Sequence, residues 1–179
     1  MNTMIKMGVI GAAAMASAAS AAIFIGQPLY VPAGHEAVVS FHSSDAGWTG
    51  DVYWMGGMGR EDLGMWLFNN HASAPGDSVS LGVFESQTPL YFAYDITDGD
   101  LNTYRMTDSA EIYQFAYEDI AADHFRMRIE DIKLPAGDQD YNDCMFDVRF
   151  YSTPAPAPPP SPASACSLAS VAAAPPNRA

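Results

Sequence analysis

Short runs of alternating apolar and polar residues dominate the middle of this 179-residue chain. Successive side chains of a β-strand point to opposite faces, so this alternation is typical of half-buried strands. Turn-forming sequences such as Pro32-Ala33-Gly34 and Asp98-Gly99-Asp100 separate the runs. The pattern predicts an all-β fold, an antiparallel β-sandwich of the jelly-roll-like kind. The apolar positions of the runs are Ala37, Val39 and Phe41; Val79, Leu81 and Val83; Leu90, Phe92, Tyr94 and Ile96; Phe125, Met127 and Ile129; and Phe146, Val148 and Phe150.

Both ends of the chain differ in composition from this middle part. Residues 1–21 combine Lys6 with a small, apolar run and Ala-Ser-Ala cleavage sites, which predicts a secretory signal peptide and an extracellular or cell-surface location. The run is shorter than the ~20 residues that span a bilayer, so no stable membrane anchor is expected. Residues 153–179 are rich in Pro and Ala and predict a disordered tail. The expected folded domain is therefore 22–152.

The charge of the chain restricts its partners. The formal net charge is −13, with 8 Lys and Arg against 21 Asp and Glu. Nucleic acids and anionic membranes need clustered basic residues, so neither is an expected partner. The two cysteines are too few for a four-Cys zinc site or a dense disulfide scaffold. An acidic chain of this kind suits a divalent cation.

The densest polar segment lies between residues 130 and 143. Asp138-x-Asp140-x-Asn142 places oxygen ligands at alternate positions, as in the first half of an EF-hand calcium loop. Asp143 stands where that loop has glycine, so the closing ligand would come from Glu130 or Asp131 across a hairpin. We expect a Ca²⁺ site, and the alternative is a solvated acidic turn whose side chains cap backbone amides. The predicted metal ligands are Glu130, Asp131, Asp138, Asp140, Asn142 and Asp143.

A second metal site is predicted by the same alternation between residues 95 and 102. The Asp-x-Asp-x-Asn spacing recurs there, preceded by another aspartate. The alternative is a tight hairpin turn, because Asp-Gly is a common turn pair. The second set of predicted ligands is Asp95, Asp98, Asp100 and Asn102.

The segment IEDIKLPAGDQDYNDCMFDV resembles the signature of the bacterial domain of unknown function 4114 family. The matching positions include Glu130, Asp131 and the Asp-x-Asp-Tyr-Asn-Asp run, whereas Cys144 stands where an aliphatic residue is expected. Upstream, LGVFESQTPLYFAYDITDGDLNTY is similar to a Leu-Gly-x-Phe segment of the family, so the resemblance covers residues 80–150. It implies secretion, β-structure and calcium binding. The start of the tail resembles the PEP-CTERM class, without that class's apolar run and Arg cluster.

These features predict a secreted, non-enzymatic, calcium-binding sandwich that binds a glycan or a cell-surface protein. The alternatives are an extracellular polysaccharide hydrolase and a structural matrix component. The sequence has no Gly-x-Ser-x-Gly elbow and no His-Glu-x-x-His pair, and no catalytic residue is predicted. The four histidines are expected on the surface or in loops. The aromatic residues Trp48, Tyr53, Trp54 and Trp66 belong either to a sugar-binding face or to the core.

Overall fold

The structure is a computed structural model that describes residues 22–56, 62–99 and 101–154. In these ranges the chain forms eleven β-strands, one short 3-10 helix (Ile112–Gln114) and no α-helix. The predicted signal peptide and residues 155–179 of the predicted tail lie outside the described residues. The strands are β1 (Ile23–Ile25), β2 (Leu29–Val31), β3 (His35–Ser43), β4 (Gly50–Gly56), β5 (Met65–Asn69), β6 (Ser78–Phe84), β7 (Thr88–Ile96), β8 (Thr103–Arg105), β9 (Phe115–Ala121), β10 (His124–Ile129) and β11 (Cys144–Ser152).

The strands form two antiparallel sheets that pack against each other, which confirms the predicted all-β sandwich. One sheet has six strands in the order β1-β9-β10-β11-β3-β6. The other has five strands in the order β2-β7-β4-β5, with β8 also paired to β7. None of the described segments is a helix long and apolar enough to cross a membrane.

The core lies between the two sheets and is built by the inward-facing positions of the alternating runs. Phe146 of β11 packs against Phe92 of β7 and Phe68 of β5, with ring centroids 5.0 and 6.0 Å apart. The predicted inward positions of β3 and β11 are all buried. Burial of apolar surface of this kind contributes about 25 cal/mol per Å² to folding.

The alternation predicted for the run at Val79, Leu81 and Val83 is wrong at its end. Leu81 is buried, but Val83 is 56% exposed. β6 is an edge strand, and its pairing with β3 shifts register opposite Ala37 and Val38. A change of register alters which side chains face the core. Because of this shift, Val83 does not face the core as Leu81 does.

The loop between β10 and β11, residues 130–143, lies at one end of the sandwich. β10 ends at Ile129 and β11 begins at Cys144, and these two residues are paired. Cys144 is fully buried and is a free thiol, as its apolar setting in the sequence predicts. The antiparallel pairing therefore brings the two ends of the acidic segment side by side.

Candidate metal centre

Five carboxylates of the β10–β11 loop gather at the end of the sandwich, and we call them the acidic centre. They belong to Glu130, Asp131, Asp138, Asp140 and Asp143. The hairpin pairing of β10 with β11 explains why residues thirteen positions apart meet, as the sequence predicts. Their oxygens fall into two groups that share Glu130.

The inner group consists of Glu130, Asp131 and Asp143. One carboxylate oxygen from each lies within 4.8 Å of the others. These residues are 1%, 3% and 8% exposed, respectively, although charged side chains are almost never fully buried unless paired. The Asp131 backbone N–H donates a 2.7 Å hydrogen bond to Asp143 Oδ2, which fixes the two residues against each other.

The outer group consists of Glu130, Asp138 and Asp140, again with one oxygen from each within 4.8 Å of the others. Asp138 and Asp140 are exposed to solvent. The Gln139 backbone N–H donates to Glu130 Oε2 at 3.1 Å, so the loop wraps around the Glu130 carboxylate. A Cβ at Gly137 would lie 2.4 Å from Glu130 Oε1, which explains why this position needs glycine.

Asn142, a predicted metal ligand, is a hydrogen-bond donor to Asp140 in the structure. Its amide nitrogen donates to Asp140 Oδ2 at 2.5 Å, and its backbone N–H donates to Asp140 Oδ1 at 3.2 Å. The Asp140 backbone N–H in turn lies 3.4 Å from Asp138 Oδ1. The turn thus contains the backbone caps expected of a solvated acidic turn, together with the clustered carboxylates expected of a metal site.

Gln114, which was not among the residues predicted from the sequence, holds the inner end of the loop. Its amide nitrogen donates to the carbonyls of Glu130 (3.0 Å) and Ile132 (2.9 Å), and its amide oxygen accepts from the Leu134 backbone N–H (2.8 Å). Gln114 is 2% exposed and lies at the end of the 3-10 helix. A buried glutamine needs such partners. No sequence pattern linked it to residues 130–134.

The loop after β3 covers the other side of the acidic centre. Ser44 Oγ donates to the Asp143 carbonyl at 2.6 Å, and the Asp45 backbone N–H donates to the Asn142 carbonyl at 3.0 Å. The Trp48 backbone N–H donates to the Asp131 side chain. The contacts of Ser44 and Asp45 join residues about 100 positions apart and hold the main chain of the loop at Asn142 and Asp143.

The carboxylates of the inner group are difficult to ionise without a cation. Burial raises the pKa of Asp143 to about 7, and the neighbouring charges of Asp131 and Glu130 add to the rise, against a hydrogen bond from the Asp131 backbone. Burial also raises the pKa of Asp131 and of Glu130. In the described part of the chain, no Lys or Arg forms an ion pair with any of the five. Desolvation and like charge together favour the neutral acids.

One oxygen of the inner group has no partner. Asp131 Oδ2 is buried and makes no hydrogen bond within the described residues. An unpaired buried polar atom costs about 1–3 kcal/mol, and more when it is charged. The Asp143 side chain can hydrogen-bond the Asp131 side chain when one of the two acids carries a proton. Either such a proton or a cation bound to the acidic centre would satisfy this oxygen. The centre can therefore hold a metal ion, and its all-oxygen donors suit a hard divalent cation.

The second predicted metal site forms a turn between β7 and β8. Asp95 accepts a hydrogen bond from the Thr103 hydroxyl, and Asp98 Oδ1 accepts one of 2.6 Å from the Thr49 backbone N–H. The Asn102 carbonyl accepts from the Ile96 backbone N–H at 2.8 Å. Asp100 lies outside the described residues, so the site stays a prediction.

The aromatic candidates divide between the core and the surface. Trp48, Tyr53 and Trp54 are partly buried and pack against the core. Trp66 of β5 is 51% exposed, and its indole N–H donates to Asp51 Oδ1 at 2.9 Å. Only Trp66 of these four therefore presents a large exposed aromatic surface.

Comparisons with known proteins found no matching family model, no matching curated protein and no matching solved structure. The resemblance of residues 80–150 to the domain of unknown function 4114 family stays a prediction from the sequence.

Proposed function

We propose that the protein is a secreted, non-enzymatic binding module whose acidic centre binds Ca²⁺. Calcium would neutralise the carboxylates, fix the β10–β11 loop and stabilise the sandwich. The ordered surface would then bind a glycan or a cell-surface protein. The observation that carries the calcium proposal is the inner group, with its three buried carboxylates and the unpartnered Asp131 Oδ2.

The donor chemistry supports calcium over softer metals. Every titratable donor of the acidic centre is a carboxylate, and carboxylate oxygens are the ligands of Ca²⁺ and Mg²⁺. Cys144 is adjacent, but burial raises the pKa of its thiol, so a thiolate ligand is disfavoured. Calcium accepts six to eight oxygens in irregular geometry, whereas Mg²⁺ needs a near-ideal octahedron. The irregular β10–β11 loop therefore suits Ca²⁺ better than Mg²⁺.

The expected affinity is modest, as in other extracellular calcium modules. Such modules bind with a Kd of ~10⁻⁴–10⁻³ M. At free calcium ten times the Kd, binding stabilises the folded state by about 1.4 kcal/mol. That energy is a sizeable fraction of the 5–15 kcal/mol that stabilises a typical domain.

The lining of two surface grooves favours a binding module over the hydrolase alternative. The grooves flank the β9–β10 turn, one lined by Asp119, Ala121 and Phe125 and the other by Asp123 and Phe150, among others. Each of these grooves has one carboxylate in its lining. A glycoside hydrolase needs two carboxylates, one on either side of the substrate cleft.

The calcium proposal is tested by thermal unfolding of the purified protein in CaCl₂ and in EGTA. We expect calcium to raise the melting temperature by several degrees, since 1 kcal/mol corresponds to about 4–8 °C for a 60–100-residue domain and about 2–4 °C for 150–250 residues. EGTA should reverse the rise. Asp140→Ala should reduce it more than Asp98→Ala does. Identical melting curves in calcium and EGTA, for a folded sample, would contradict the proposal.

The binding role is tested separately on a glycan array. The array is probed with the fluorescently labelled protein in CaCl₂ and in EGTA. We expect a glycan class that is bound more tightly in calcium. A calcium-stabilised protein that binds no glycan on the array would direct the search to cell-surface proteins.

A further inference from the structure

The oxygens of the acidic centre form two groups, each compact enough for one cation. Ca–O distances of about 2.3–2.6 Å limit any two oxygens on one ion to a separation of about 5 Å. The inner and outer groups each meet this limit, with their oxygens within 4.8 Å of one another. The five carboxylates together do not form one such group among the described residues. As the side chains stand, an ion in the inner group would contact Asp131 and Asp143, and an ion in the outer group would contact Asp138 and Asp140.

Glu130 belongs to both groups and lies between them. Its Oε2 accepts the Gln139 backbone N–H, and its Oε1 faces Gly137. A carboxylate with two oxygens can bridge two cations, as in two-metal sites with ions about 3.5–4 Å apart. We propose that the acidic centre holds two divalent cations, which share Glu130. This inference rests on the calcium binding proposed for the inner group and adds a second ion in the outer group.

The orphaned Asp131 Oδ2 assigns one of these ions to the inner group. Among the described residues this buried oxygen has no hydrogen-bond donor when the centre is ionised, and its residue is 3% exposed. An ion bound only by the exposed Asp138 and Asp140 would leave Asp131 Oδ2 unpaired. The hydroxyl of Tyr94 is also buried and has no hydrogen-bond partner among the described residues.

The charge balance of the acidic centre also favours two cations over one. The fully ionised centre carries five negative charges from its five carboxylates. One divalent cation leaves three of them uncompensated, and two cations leave one. Like charges at these distances repel strongly in a partly buried setting.

The two ions should differ in exchange rate. The inner ligands are at most 8% exposed, whereas Asp138 and Asp140 are open to solvent. The inner ion is therefore shielded from water and released slowly, and the outer ion exchanges freely. Dilution of the ⁴⁵Ca-loaded protein into unlabelled CaCl₂ should give a fast and a slow phase of label release.

The number of ions is tested by equilibrium dialysis of the full chain against ⁴⁵CaCl₂. The variants are Asp131→Asn for the inner group, Asp140→Asn for the outer group, and the double variant. Asp119→Asn, an exposed carboxylate of β9, is the control. Circular dichroism checks that each is folded. We expect each single variant to lose one ion, the double variant to lose two, and the control to lose none.

The outcomes separate the two proposals. If the double variant loses the same single ion as either single variant, the two-ion inference is overturned and calcium binding stands. If the folded wild-type chain binds no calcium, the proposed function itself fails. If Asp131→Asn does not fold, the release kinetics of the wild-type protein decide, and a single phase of one ion overturns the inference.

Discussion

β10 connects two regions that differ in whether basic side chains pair with their carboxylates. On the strand, Arg126 donates to Asp147 at 2.8 Å and Arg128 donates to Glu118 at 2.6 Å. Immediately after the strand, Glu130 and Asp131 enter the acidic centre, where no basic side chain pairs with them in the described residues. The first region, which we call the ion-pair face, is neutralised by the chain itself.

The pKa values of two aspartates express this difference. Burial raises the pKa of Asp147, but its hydrogen bonds to Arg126 and His124 outweigh that effect and lower it below the usual range. Burial raises the pKa of Asp143 to about 7, and no basic side chain of the described residues opposes the rise. Asp147 and Asp143 lie only four residues apart around the start of β11. The described residues therefore supply a basic counter-charge in one region and none in the other.

The largest expected effect is that of Gly137→Ala, which would disable the acidic centre without removing a charge. The new Cβ would lie 2.4 Å from Glu130 Oε1 and 2.9 Å from the Ile132 carbonyl oxygen, so the Glu130 carboxylate must move. We expect the variant to lose the calcium-induced rise in melting temperature. At calcium a hundredfold above the Kd, the loss corresponds to about 2.7 kcal/mol for each ion.

Gly47→Ala is the matched control for that variant. A Cβ at Gly47 has no atom within 4 Å, and the position needs no left-handed backbone. Calcium should raise the melting temperature of Gly47→Ala as much as that of the wild type. A normal calcium response from Gly137→Ala would show that the Glu130 carboxylate is not a ligand.

The pH dependence of the metal-free protein should show the second largest effect. Between about pH 4 and pH 7 the folded state holds a proton on Asp143 that the unfolded state has lost. The free energy of unfolding of the metal-free protein should therefore decrease from pH 5 to pH 8, by on the order of 2 kcal/mol, because one pKa unit corresponds to about 1.4 kcal/mol.

Saturating calcium should remove this dependence or reverse its sign, because the cation binds the ionised carboxylates. The measurement is urea unfolding at both pH values, with and without calcium. Metal-free protein that becomes more stable from pH 5 to pH 8 would show that the acidic centre does not control stability in this range.

Asp147→Asn tests the ion-pair face and should have the third largest effect. It removes a charge that bonds to Arg126 and pairs with His124 at 3.1 Å. Hydrogen bonds to charged groups contribute about 1.5–3 kcal/mol, and we expect a loss near the lower end because Asp147 is partly exposed. The loss in urea unfolding should be equal in calcium and in EGTA. A loss seen only in calcium would link Asp147 to the metal centre.

The alternating runs predicted the fold well because they report burial directly. Phe146, Val148 and Phe150 face inward, as expected for a strand that packs against a second sheet. The partners of each strand could not be predicted, since β11 pairs with β3 across more than 100 residues. The alternation did not predict the exposure of Val83, because a register shift in the edge strand β6 changes which side chains face the core.

The acidic centre was predictable to the extent that one hairpin builds it. The spacing of Glu130 from Asp138 and Asp140 was enough to expect contact between them. The contacts of Gln114 and of Trp48 were not predictable, because they reach the centre from distant strands and loops. The division into two groups depends on which side chains become buried, and a list of acidic residues does not contain that information.

Glu118→Gln is expected to have the smallest effect and gives the sharpest test of independence between the two regions. Both Nε and Nη2 of Arg128 donate to Glu118 Oε2, at 2.9 and 2.6 Å. The pair joins neighbouring strands and is partly exposed, and such pairs contribute about 0.2–1 kcal/mol. We expect the free energy of unfolding to fall by about 0.5 kcal/mol. The difference from wild type should shrink in 1 M NaCl, where the Debye length is about 3 Å. The calcium-induced rise in melting temperature should stay the same, because Arg128 and Glu118 neutralise each other without the acidic centre. If Glu118→Gln weakens the calcium response, β10 couples the two regions, and their separation into a self-neutralised face and a cation-dependent centre is wrong.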